Sequence, residues 1–120
     1  MGHIIRDKSF AFALRIIKLY SFLTDEKREF VISKQVLRSG TSIGANIREG
    51  RNAQSNLDFI NKYSIALKEA DETQYWIELL YAAEFIDDNA YISLNNDINE
   101  LIALLTASIK TVKNNKNSKE

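Results

Sequence analysis

The chain has no cysteine, no proline, one histidine and only four glycines. Each shortage excludes something. Without cysteine there is no disulfide and no thiolate metal site, which fits a reducing compartment. Sandwiches and barrels carry many turns, and turns recruit proline and glycine. A 120-residue chain this poor in both, and rich in Leu, Ile, Ala, Glu and Lys, reads as long helices joined by short loops. A di-metal bundle site would need two Glu-x-x-His pairs, and His3 stands alone near one end. Glu69-x-x-Glu72 is therefore read as a structural or solvated pair. No apolar run approaches the roughly 20 residues of a membrane span. No leader-like apolar stretch follows Met1. The expectation is a cytoplasmic protein with no membrane partner.

Catalytic constellations are missing in the same way. Arg38-Ser39-Gly40-Thr41-Ser42-Ile43-Gly44 holds two glycines but lacks the spacing and the Lys-Ser/Thr ending of a phosphate loop. Ser39, Ser42, Thr73 and Ser108 have no histidine to activate them. The expected protein is not an enzyme, uses no cofactor and shows no evident small-molecule substrate.

What is present is helical periodicity. Phe12, Ile16, Leu19 and Leu23 recur at steps of three and four, and so do Phe10, Ala13, Ile17 and Tyr20. This predicts a first helix over about 8–23, capped by Asp7, with an apolar stripe wide enough for neighbours on two sides. Ile32, Val36, Gly40, Ile43, Ile47 and Gly50 keep one phase through two glycines. Either 39–42 is a loop, or one helix runs from about Glu26 to Arg51 and its glycines admit a close neighbour. The unbroken phase favours the continuous helix. Ser55 and Asp58 pair like a capping box ahead of a third helix to about Phe85. A fourth helix, about 90–112, follows the Asp87-Asp88-Asn89 turn. The expected fold is an all-α, antiparallel up-and-down four-helix bundle over 1–112, with a flexible polar tail over 113–120.

Formal net charge is zero, yet the charge is segregated: residues 27–53 are mainly basic and 54–86 mainly acidic. Lys27, Lys34 and Arg38, spaced by seven and four, form an expected stripe opposite the helix-two core, extended by Arg48 and Arg51. Two readings stand: a solvated face, or contact with nucleic-acid phosphates. Ser39, Ser42, Asn46 and Glu49 line the helix-two core, where Glu69 and Thr73 of helix three could meet them. An interhelical network fixing register is preferred there to a ligand site. Ile65, Tyr75, Trp76 and Leu79 lie off the main stripe of helix three and are either additional core or, by preference, a self-association face.

Three segments carry a family resemblance: Lys27-Arg28-Glu29-Phe30; Arg38 through Gly50; and Asp58-Phe59-Ile60 through Tyr75-Trp76. Together they closely resemble the bacterial four-helix-bundle proteins of the 23S rRNA intervening-sequence type, often labelled S23 ribosomal proteins. The accessory variability determinant of diversity-generating retroelements is a similar relative. The resemblance implies the same bundle, a ring-like homo-oligomer, specifically a pentamer, and contact with RNA or a ribonucleoprotein. That relative is strongly basic, whereas this chain is neutral. The other expectation is a structural oligomeric module that binds a protein partner without nucleic acid.

Overall fold

The computed structural model describes the backbone of residues 2–118 and the side chains of residues 3–115. Four helices follow one another: α1 (Gly2–Asp25), α2 (Ile32–Arg51), α3 (Asn56–Ala82) and α4 (Asp88–Ser118). Each packs against its neighbours in sequence, and α4 closes on α1. The backbones of the diagonal pairs α1/α3 and α2/α4 do not approach closely among the described residues. The result is an antiparallel up-and-down bundle measuring 54 × 22 × 20 Å.

The core is the set of lines that periodicity marked. Ile5, Phe12, Ile16 and Leu23 of α1 meet Val36, Ile43 and Ile47 of α2. Ala66, Ala70, Ile77 and Leu80 of α3 and Leu94, Ile98, Leu101 and Leu105 of α4 complete it. The helix-two glycines lie inside a continuous helix. A Cβ built on Gly40 would stand 2.8 Å from Ile16 Cγ1, and one on Gly50 would stand 2.7 Å from the Tyr63 ring. These glycines let α1 and α3 approach the α2 backbone.

Boundaries differ from expectation in instructive ways. The first helix starts several residues early, because Ile5 extends its buried line and Ser9 is buried beside it. Asp7 is thus inside the helix, paired with Arg6 at 3.3 Å, and caps nothing. The second helix starts late, at Ile32. The chain turns at Arg28, whose φ is 57°, and the Glu29 amide closes back on the Leu23 carbonyl at 2.9 Å. Ser55 caps α3 by accepting from Asp58 N at 3.1 Å. That helix ends in a Schellman-type turn: Glu84 has φ 67°, its amide donates to Tyr81 O, and the Phe85 amide donates to Leu80 O. Asp87 then caps α4, accepting from Ala90 N at 2.8 Å. Ile109 is the last residue that α4 gives to the core, but the helix continues past 112 to Ser118. The expected tail is therefore helical over 113–118, and its last two residues lie outside the described set.

Candidate functional site

The polar line of α2 meets α3 as an interhelical seam. The Ser39 and Thr73 hydroxyls are hydrogen-bonded at 2.8 Å, and both residues are wholly buried. Thr73 also donates to the Glu69 carbonyl one turn back. Ser42 donates to the Glu69 carboxylate at 2.6 Å, and Arg38 donates to the same carboxylate at 3.1 Å. Arg38 also pairs with Glu72, which accepts from Trp76 Nε1 at 3.0 Å. Asn46 donates to the Ser42 carbonyl within its own helix. Glu49 stands apart from the seam and pairs with Lys62 at 3.0 Å. No group of three metal-ligating side chains occurs among the described residues.

The expected basic stripe does not survive folding as a unit. Arg38 is held by two carboxylates and belongs to the seam. Lys27 falls in the α1–α2 loop, outside α2, because the helix begins only at Ile32. Its ammonium lies 5.8 Å from the Phe22 ring centroid, and it lines a surface hollow with Glu84, Asp87 and Asp88. Lys34 is exposed in the first turn of α2. Arg48 and Arg51 are exposed in its last turn. Lys34 and Arg51 are separated by about 26 Å of helix. Antiparallel folding instead groups Arg48 and Arg51 with Lys110 and Lys113 of α4 at one end of the bundle. Among the described residues, none of these four cations has an ion-pair partner. The opposite end carries Glu26, Glu84, Asp87 and Asp88. The two ends of the bundle therefore differ in charge, with Lys27, Arg28 and Lys34 standing among the acids of the second end.

The α3 patch is partly core. Trp76 is half-buried against the central cluster. Leu79 is half-buried, while Ile65 and Tyr75 are exposed. The more extensive apolar surface is on α1. Phe10 is 58% exposed, and Leu14 and Ile17 are each 48% exposed. They line a shallow groove with Thr41, Gly44 and Ala45 of α2. Sequence reasoning saw that the α1 stripe was too wide for one neighbour. It did not find this surface, because it assigned the second side to the bundle itself.

Glu29 is a further residue missed by periodicity. Its carboxylate accepts from the amides of Val31, Ile32 and Ser33 at 3.1, 2.9 and 2.6 Å. Partial burial pushes this carboxyl up, but those amide donors together outweigh burial and hold it below its ordinary value.

A family model described as 23S rRNA-intervening sequence protein matches residues 2–107. A crystal structure of a protein with unknown function, from the S23 ribosomal protein family of Bacteroides thetaiotaomicron, superposes with a TM-score of 0.90. It is 59% identical to this chain, and the match covers 91% of this chain and 97% of that one. No curated protein matches the sequence. Both the family model and the similar structure span nearly the whole bundle, so the chain belongs to the 23S rRNA-intervening sequence protein family.

Proposed function

We propose that this protein is a non-catalytic, self-associating bundle whose assembly contacts RNA or a ribonucleoprotein. The observation that carries the reading is the exposed line of Phe10, Leu14 and Ile17 on α1, an apolar ridge of a kind that marks an interaction site. A second copy of the chain is the occupant that its surroundings fit. Lys18, next to Ile17 in α1, is exposed without an ion-pair partner among the described residues. On the diagonally opposite helix, Ile65 and Tyr75 are exposed on α3, which also carries the exposed acids Asp71 and Glu78. An α1-to-α3 contact joins two different surfaces, so it is heterologous, and such contacts close into rings when the rotation allows. The number of copies proposed, by resemblance to the family, is five.

Light scattering tests this reading. The wild-type chain should have several times the monomer mass, and Leu14→Asp should be a helical monomer. A wild-type chain that stays monomeric at high concentration refutes self-association. The RNA part is read from fluorescence anisotropy with a labelled structured RNA across a salt series. Affinity that falls steeply with salt indicates phosphate contacts. No binding at low salt transfers the assembly to a protein partner.

A further inference from the structure

Resting on that RNA-contacting reading, we infer that the phosphate-binding surface is the end of the bundle formed by the close of α2 and the close of α4, with Arg48, Arg51, Lys110 and Lys113 as its cations. The flank of α2 is not that surface.

The distribution of neutralised charge carries this placement. Of the five cations that chain order aligned, Arg38 has two carboxylate partners, and Lys27 shares a hollow with three acids. A phosphate approaching either one also meets those carboxylates, so their repulsion offsets part of the attraction. Lys34 is in the first turn of α2, at the same acidic end of the bundle. At the other end the balance is reversed. Glu49 is the carboxylate nearest Arg48 in the chain, and Lys62 already holds it at 3.0 Å. Asp58 is partly withdrawn into the first turn of α3. Arg48 lines the α1–α2 groove with Asp7 and Glu49, but those carboxylates are already held by Arg6 at 3.3 Å and Lys62 at 3.0 Å. Arg48, Arg51, Lys110 and Lys113 are all exposed without ion-pair partners among the described residues.

The chemistry around these cations fits a polynucleotide backbone. Asn52, Gln54 and Asn56 are exposed in and beside the α2–α3 turn, where their amides can hydrogen-bond sugar and phosphate oxygens. Copies arranged around an axis parallel to the bundle would present all their basic ends on one face. Each contact would then be repeated around the ring, and weak single sites would add through avidity.

Arg48 and Arg51 also occupy the last turn of α2, where cations offset the negative helix end. Binding must therefore be read beside stability. The experiment is anisotropy of a labelled structured RNA with four variants: Arg48→Glu/Arg51→Glu, Arg48→Gln/Arg51→Gln, Lys110→Glu/Lys113→Glu and Lys34→Glu. Circular dichroism and a melting temperature are recorded for each. Both Glu pairs should weaken binding at least about tenfold at low salt, and the Gln pair should lower the salt slope by about two. Lys34→Glu should stay within about twofold of wild type. The Gln pair keeps the test decisive if a Glu pair unfolds. If wild type binds and the folded Arg48/Arg51 variants bind as well as it does, the placement is wrong and the RNA reading stands. Loss of binding in Lys34→Glu equal to that of the end variants also overturns the placement. Absence of wild-type binding overturns the RNA reading, and the placement falls with it.

Discussion

The two flanks of α2 are built differently. Toward α1, the backbone itself is the packing surface: Gly40 meets Ile16 with no room for a methyl group. Toward α3, the same stretch offers side chains, and Ser39 and Ser42 hydrogen-bond Thr73 and Glu69. The first flank is held by shape and excludes any larger residue. The second is held by directional bonds and excludes any shifted register, since sliding α3 by one turn would part both hydroxyl contacts at once. One helix thus gains distance control on one side and register control on the other, with Ser39 and Gly40 as adjacent residues.

The largest effect should come from the shape-held flank. Gly40→Val places two methyl groups against Ile16, and overpacking of that kind costs about 3 kcal/mol. Gly44→Ala is the contrast, since its new Cβ would lie 3.4 Å from Ser9 Oγ, near ordinary contact. Its gain in helix propensity, up to about 1 kcal/mol, should then appear as added stability. Urea denaturation of both variants checks the pair. Equal losses would show that Gly40 is not a special point of approach.

On the bonded flank, Thr73→Val keeps the volume and removes the hydroxyl that Ser39 meets. A buried Ser39 without its partner should cost about 1–2 kcal/mol. Adding Ser39→Ala should recover part of that loss, because the orphaned group is then gone. A double-mutant cycle with no coupling would mean that the seam contributes packing alone.

These flanks were unequally legible in the sequence. The heptad phase through Gly40 and Gly44 pointed to a continuous helix, because a loop would have reset the phase. The seam was legible because small hydroxyls and acids bordered a core line, and a Glu69 facing that line needs donors, one of which is Arg38 in the structure. Yet Arg38 was also counted with the free basic residues, and only the position of α3 reveals its partners. Spacing along one helix cannot say what stands across from it. The same limit hid the basic end, since Arg51 and Lys113 are far apart in sequence and become neighbours of one end only through two chain reversals. The turn at Arg28 was hidden for another reason. Left-handed backbone is usually supplied by glycine, and neither Arg28 nor Glu84 advertises it.

The start of α2 belongs to neither flank and is the smaller test of whether both depend on a fixed helix entry. Glu29 satisfies three amides there, with no side-chain cap from Val31. Glu29→Gln keeps one acceptor oxygen and should cost about 1 kcal/mol at neutral pH. The sign of its pH dependence follows from the folded carboxyl lying below its ordinary value of 4.5. A depressed carboxyl stabilises the fold above the unfolded value and loses that contribution as pH falls through the lower, folded value. The melting temperatures of wild type and variant should therefore be separated at pH 7 and converge as pH falls below about 4.5. Curves that stay parallel would show that the carboxylate charge is not what holds this helix entry, and that the packing of the flanks alone sets where α2 begins.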